Sequence, residues 1–513
     1  MDRADNRRAG IEDVVPRPLD HILSFGAPDA PSLLLREVRH SYRELESLTG
    51  RWATWLQAKV DVGGRVACWT AKGLVSCILP LACARAGLVY VPVNPLLKPA
   101  QVAHICADCS PALLVGSASR LATLGEGDLP ASTQTMIEDE FSSCGIPDET
   151  LPPSTWDTDD LAALLYTSGS TGKPKGVMLS HANLWLGAVS VAAYLEMRSD
   201  DVTLAVLPLS FDYGQNQLYS TWLAGGSVAP LDYLFSKDVV KACGRHAVTT
   251  LAGVPPLWMQ LMDAEWPGEI ANALRRVTNS GGALTPALIG RMRGTFPNAD
   301  IYPMYGLTEA FRSTYLSPDK VRDFPASIGM AIPFAEIMLV DGDGHVVEGE
   351  GEGELVHCGP LVAKGYWRDE MRSRERFRPT PPGSRHGGTA VWSGDWVRRD
   401  ENGLLYFAGR NDAMIKTSGN RVSPEEIEDA AREAGAPDAV VAIGVADERL
   451  GQAIALLIEA DGPLDIEELR TRMARSLPNF MVPAQIRVID QLPRTPNGKF
   501  DRVALAQEFG ATR

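Results

Sequence analysis

From about Leu19 to Leu161, short apolar runs closed by glycine, proline or polar residues alternate with stretches whose apolar positions recur every three or four residues. That alternation predicts a mostly parallel sheet covered by helices. Arg65–Trp69 and Leu88–Val93 read as strands and Val75–Ala86 as the helix between them. Leu161–Leu165 is a further buried strand, with Val177-Met178-Leu179 as its hairpin partner. Ser180 then caps a helix running through Leu184 and Val191 to Tyr194. A second α/β set follows, with strands at Leu204–Leu207, Thr249–Leu251 and Val277–Asn279 and helices near Pro256–Met262 and Pro286–Arg293. Each of those strands runs into a Gly, Pro or Ser loop, and in open α/β sheets such loops form the ligand crevice.

Near Phe324 the pattern shortens to strands and turns: Glu336–Val340, Gly353–His357, Ala390–Val397 and Leu404–Ala408. This predicts a β-rich unit, with Pro379–Gly388 as an exposed loop and Asp341-Gly342-Asp343-Gly344 as a hairpin turn. Val346 stands where an EF-hand loop requires glycine, so that turn is not read as a calcium loop. From about Ala413 a small α+β unit begins. Ser423-Pro424-Glu425-Glu426 reads as a capping box with proline at the first helical position. Strands follow around Val440–Val445 and Ala453–Ile458, then a helix capped by Asp465 with Leu469, Met473 and Leu477 on one face, and a last strand at Gln485–Ile489. The expected division is a disordered segment over 1–18, a large domain over 19–411 and a small domain over 412–513.

A chain of 513 residues with 45% hydrophobic content exceeds what one core supports, which fits that division. A formal charge of −15 and a pI near 5.1 argue against a nucleic-acid or anionic-membrane surface, while leaving room for a local basic pocket. The polar start and the lack of any long apolar stretch predict no membrane insertion and a cytoplasmic protein. Cys68, Cys77 and Cys83 sit in apolar settings, as small core residues of a reducing compartment do. Cys106 and Cys109 form a CxxC without the second half of a zinc site.

The chemistry is concentrated in the polar segment of the hairpin. Tyr166-Thr167-Ser168-Gly169-Ser170-Thr171-Gly172-Lys173-Pro174-Lys175-Gly176 packs three glycines, four hydroxyls and two lysines into eleven residues, the composition of a polyphosphate cradle. Its spacing is not that of a Walker A loop, which argues against a P-loop phosphotransferase or GTPase. Met304-Tyr305-Gly306-Leu307-Thr308-Glu309 presents a phosphate donor, Thr308, and a Mg²⁺ ligand, Glu309. Ser393-Gly394-Asp395 offers a carboxylate to a ribose diol, though a turn aspartate reads the same way. Gly409-Arg410-Asn411-Asp412 and Ile415–Val422 put fixed positive charge at the junction of the two units. Pro493-Arg494-Thr495-Pro496-Asn497-Gly498-Lys499 presents one lysine on a turn.

Together and in this order, these segments resemble the adenylate-forming superfamily of acyl-CoA synthetases, amino-acid adenylation domains and luciferases over roughly residues 20 to 505. The resemblance implies an α/β fold: a large N-terminal domain of two α/β subdomains plus a β-barrel-like one, with a small mobile C-terminal lid hinged at Asp412. It implies a ligase in which a carboxylate attacks Mg-ATP to give an acyl-adenylate, after which CoA or a carrier's phosphopantetheine displaces AMP. On that likeness Thr167, Ser168, Gly169, Ser170, Thr171, Gly172 and Lys175 hold the phosphates. Gly281, Gly282 and Ala283 wall the adenine, with Tyr305 of the Tyr305-Gly306 turn stacked on it. Asp395 and Arg410 hold the ribose or phosphate, and Lys499, with Thr308 and Glu309, serves the first step. Gly419 and Arg421 serve the thiol step. No phosphopantetheine attachment segment is found, so a carrier is expected to be a separate protein. A nucleotide-binding protein without catalysis is the rival outside this class, and the presence of Lys499, Glu309 and Asp395 argues against it.

The same resemblance places Asp212, Tyr213, Asn216, Gly253, Met304 and Arg312 around the acid. Phe211-Asp212 matches the pattern of amino-acid adenylation domains, where the aspartate pairs with the substrate's ammonium. Three readings stay open. Asp212 meets an ammonium; or Arg312 pairs with Asp212 and the substrate is an ordinary fatty or aryl acid; or Arg312 takes a second carboxylate. The chain also resembles, more distantly, the acyl-CoA ligases found with exosortase systems.

Overall fold

In the computed structural model the described residues are 14–143, 148–167, 174–410, 414–437, 439–460, 462, 464–493, 500 and 502–510. Among them, the first sheet runs Gln134–Ile137, Leu113–Gly116, Arg65–Trp69, Val89–Pro92, Leu161–Thr167, Lys175–Ser180. All its pairings are parallel except the last, the hairpin, in which Leu165 faces Val177. In the nine-stranded second sheet, neighbouring parallel strands run in the order Asp300–Tyr305, Arg276–Asn279, Thr250–Gly253, Val202–Ala205, Ser227–Pro230. Because these strands run the same way, the loops after Asn279, Gly253 and Tyr305 gather at one edge, where the site is built.

Strand pairing corrects one expectation. Pro31–Leu34 and Arg39–Ser41 lie early in the first α/β stretch, yet they join the second sheet, Leu33 pairing in parallel with Val228. The two sheets share a core, which is what permits the exchange. The helix Leu74–Ala86 is apolar all round rather than on one stripe, so it has no face for water and is buried from Val75 to Ala86. It belongs to a single apolar cluster with Val66 and Tyr90 of the first sheet and Leu33 and Val228 of the second.

The third sheet is antiparallel: Glu336–Val340, Gly351–Cys358 and the long strand Thr389–Arg399, which pairs at one end with Phe377–Pro379 and at the other with Leu405–Arg410. Asp341–Gly344 is the expected turn, closed by Gly344 N–H donating to the Asp341 carbonyl at 3.1 Å. The fourth sheet pairs Val440–Asp447 antiparallel and Gln485–Ile489 parallel to Gly451–Glu459. Leu469, Met473 and Leu477 are buried against it as their spacing predicts. Ser423 does sit at the N-cap before Pro424, but its side chain makes no capping bond, so the box pattern is formed in sequence only. Cys106 and Cys109 are buried, unbridged residues of the helix Pro99–Cys109. Among the described residues no helix is long and apolar enough to cross a membrane.

A buried ion pair ties the start of the chain to this core. Asp20, fully buried, takes Arg85 Nε at 3.0 Å, Ser154 Oγ at 2.6 Å and Ser154 N–H at 3.0 Å. Arg85→Met strips the cation from a carboxylate that water cannot reach, and the expected loss is about 3–5 kcal/mol. Chemical denaturation checks it, and a loss below about 1 kcal/mol would mean that the Ser154 bonds hold Asp20 unaided.

Candidate active site

The strand Asp300–Tyr305 ends in a turn that folds back hard on itself. A Cβ on Gly306 would lie 2.8 Å from Arg312 Cα and 3.0 Å from the Phe311 carbonyl oxygen, so only glycine fits. At the far side of the turn Phe311 is held at φ 61°, ψ −89°, a costly conformation for a residue with a side chain. Its ring fills the space that a side chain on Gly187 would need, 2.8 Å from that glycine's would-be Cβ. This fold-back gives the turn two buried, functional side chains, Glu309 and Arg312, each 3% exposed.

Glu309 is the electrostatic centre. Its Oε1 accepts from the Tyr366 hydroxyl at 2.7 Å, while Oε2 is buried without a partner. Burial alone would raise its pKa, but Arg376, Lys175 and Arg421, helped by Tyr366, hold it down at about 2. Lys175, 3.8 Å above the Tyr366 ring, is pushed down to about 8 by burial and by neighbouring arginines, against the pull of Glu309. Three cations around one carboxylate leave positive charge over, which suits a polyphosphate.

On the adjoining strand Asp395 is fully buried and accepts a short hydrogen bond from the Tyr305 hydroxyl. Its backbone N–H donates to Ser393 Oγ at 3.0 Å, and it faces Arg410 across the sheet. Below it opens a cavity of ≈670 Å³ walled by Gly281, Gly282 and Ala283 on one side and by Lys416 and Gly419 of the fourth sheet's hairpin on the other. Gly419, at φ 78°, seats directly on Val254, 2.8 Å from the position of its would-be Cβ.

Asp212 opens the helix Asp212–Leu223. It accepts from Thr308 Oγ1 at 3.2 Å and lies 3.8 Å from Arg312 Nη2. Burial raises its pKa, and Arg312 and Thr308 oppose the rise. The Arg312 guanidinium rests 4.5 Å over the Tyr213 ring, and Tyr213 bonds Thr278 Oγ1 at 2.7 Å. Arg312, Tyr213, Asn216 and Met304 line one small cavity. Gly253, at the end of its strand, is backed by Trp258, whose ring would lie 2.7 Å from a Cβ there.

The structure thus brings Tyr305, Gly306, Thr308, Glu309, Asp395, Lys175, Gly419 and Arg421 to one edge, with Asp212 and Arg312 beside them. The Thr308 hydroxyl serves Asp212 rather than standing open for a phosphate. Thr167 ends its strand with Oγ1 buried and unpartnered. Ser168, Gly169, Ser170, Thr171, Gly172, Asp412 and Lys499, like the side chain of Arg410, lie outside the described residues. Sequence reasoning missed Arg376 and Tyr366. Arg376 closes the charged run Glu370–Arg376, indistinguishable in sequence from a solvated helix, and Tyr366 has no neighbouring signal.

Comparison with known proteins agrees with this geometry. Residues 25–367 match the AMP-binding enzyme family and 426–499 the AMP-binding enzyme C-terminal domain. The chain is 33% identical to an L-proline--[L-prolyl-carrier protein] ligase of Streptomyces coelicolor, covering 88% of each chain. It is 27% identical to a D-alanine--D-alanyl carrier protein ligase of Bacillus licheniformis, covering 94% of this chain and 97% of that one. Its fold is that of o-succinylbenzoate CoA synthetase from Bacillus subtilis, with a TM-score of 0.85 at 24% identity over 96% of this chain and 98% of that chain. The chain belongs to the AMP-binding enzyme family. It is an adenylate-forming acid–thiol ligase, which activates a carboxylic acid with ATP as an acyl-adenylate and passes the acyl group to a carrier protein or CoA.

A lysine titrating near 8 gives this site a pH limb. Lys175 is charged below about 8 and neutral above it, so kcat/KM for ATP should fall as pH rises through that value. Lys175→Arg, charged throughout, should move the limb upward by more than one pH unit. An unmoved limb in the arginine variant would assign it to another group.

Proposed function

We propose that this enzyme activates an amino acid and hands it to the phosphopantetheine thiol of a separate carrier protein. Asp212 carries the reading: a carboxylate only 13% exposed beside the Glu309 turn is costly without a cationic partner, and a substrate ammonium is one. Two relatives named as aminoacyl-carrier-protein ligases support it. Neither relative's name bears on exosortase systems, and no such link is proposed. The seven cysteines among the described residues, all buried and unbridged, are in keeping with the cytoplasm.

Within this reading Asp395 and Arg410 take the ribose, Gly281–Ala283 and Tyr305 the adenine, and Lys175 with the loop from Thr167 the phosphates. A Mg²⁺ ion fits Glu309, whose Oε2 is ionised and unclaimed, and would neutralise charge on the phosphates while they shift. Lys499 bridges the carboxylate and α-phosphate in the first step. The lid, residues 412–513, turns about Asp412 for the second, when Gly419 and Arg421 replace it. The seating of Gly419 on Val254 and the approach of Arg421 to Glu309 support that second arrangement.

A second reading has one observation behind it. Arg312 stands near enough to Asp212 to offset its charge, which would suit a fatty or aryl acid with no amino group and CoA as acceptor. ATP–pyrophosphate exchange over a panel of amino acids and amine-free acids separates the two, and exchange confined to amine-free acids would reject the amino-acid reading. Lys499→Ala should lower exchange by about 10²–10³-fold while transfer from a preformed adenylate to carrier stays within about threefold of wild type. Equal loss of both half-reactions would show that Lys499 does not act in the first step alone.

A further inference from the structure

Resting on the amino-acid reading, we propose that the substrate is a short dicarboxylic amino acid, its side-chain carboxylate held by Arg312 together with Asn216. Arg312 is buried, carried inward by the strained residue Phe311 and stacked over Tyr213. Of its five N–H donors, one on Nη1 reaches Ser280 Oγ at 3.1 Å, and the guanidinium also hydrogen-bonds the Tyr194 hydroxyl. Nη2 is 3.8 Å from Asp212, near enough for charge attraction and too far for a hydrogen bond, and Nε is buried with no partner among the described residues. Asn216, also 3% exposed, has its Nδ2 unpartnered. Both side chains line the same enclosed cavity of ≈20 Å³, close to the space of one water, bounded further by Tyr213, Thr278 and Met304.

Buried donors without acceptors are what a site leaves when the ligand supplies the acceptor. Two oxygens on one carbon match a guanidinium edge, and a carboxylate is the group that brings both the geometry and the charge. Charge balance selects the same class. Asp212 and Arg312 sum to zero, and the substrate's reacting carboxylate faces ATP. A neutral amino acid adds one positive charge and makes Asp212 serve two cations. A second carboxylate restores neutrality: the ammonium takes Asp212 and the carboxylate takes Arg312, so each buried charge acquires a hydrogen-bonded partner. A cavity this small leaves no room for a long side chain.

The test is ATP–pyrophosphate exchange with aspartate, glutamate, asparagine, glutamine, alanine, proline and succinate on the wild type and on Arg312→Gln. The wild type should prefer aspartate or glutamate to its own amide by at least about 100-fold in kcat/KM. Arg312→Gln should raise KM for the acid by about 100-fold more than for the amide, abolishing the preference. The acid-to-amide ratio is internal to each enzyme, so a general loss of folded protein does not imitate that change, and the wild-type ratio decides even if the variant fails to fold. Alanine or proline outcompeting aspartate would overturn this inference and keep the amino-acid reading. Succinate outcompeting aspartate would overturn both, because no ammonium would then meet Asp212.

Discussion

Glu309 keeps a full negative charge in a place that water does not reach, and the site depends on how that charge is balanced. Its balance is drawn from every unit of the molecule: Lys175 from the first sheet's hairpin, Tyr366 and Arg376 from the segment leading into the third sheet, and Arg421 from the fourth. The carboxylate itself comes from the turn that follows the strand Asp300–Tyr305 of the second sheet. A buried charge held by four separate pieces of structure works as a registration point, because each piece must be in position for the ion to be tolerated. Only one of these partners, Arg421, belongs to the small unit. The proposed turn of that unit would subtract one cation and leave the other groups in place.

The acid side uses the same logic with the signs arranged otherwise. Around Glu309 cations exceed carboxylates, so the surplus waits for an anion with several charges. Around Asp212 one carboxylate meets one guanidinium at 3.8 Å, an approach that leaves Arg312 Nε without an acceptor among the described residues. The first arrangement suits polyphosphate of any nucleotide and says little about selectivity. The second discriminates, since a buried donor left empty penalises each acid that cannot fill it. Thr308 stands between the two, its hydroxyl on Asp212 and its neighbour the centre of the phosphate side, so the acid and the nucleotide are sensed by adjacent residues of one turn.

Much of the fold is legible in the sequence, for a definite reason. Strands such as Arg65–Trp69, Glu336–Val340 and Gln485–Ile489 are short apolar or alternating runs with turn residues at both ends, so local pattern alone marks them. The hairpin around the glycine-rich loop follows from the register of Leu165 with Val177. What local pattern does not contain is long-range pairing. Leu33 reaches Val228 across nearly two hundred residues, and nothing near Pro31–Leu34 announces that the strand belongs to the second sheet. Arg376 is illegible for a related reason: Arg372, Arg374 and Arg376 look alike in sequence, and only packing decides which acts most strongly on Glu309.

Between Asp212 and Arg312 the sequence leaves three possibilities open because it gives residues without distances. The distances narrow them by a physical criterion rather than by likeness. A closed, bidentate pair would have consumed Arg312 and made the pocket electrically finished before any acid arrived. At 3.8 Å, with Nε and the amide of Asn216 still empty, the pair is unfinished, and an unfinished pair buried under a strained backbone is costly to keep unless a ligand completes it. On the proposed reading the turn that holds Glu309 for the nucleotide also presents Arg312 to the acid, because Gly306 and Phe311 allow it one conformation and that conformation sets both side chains at once.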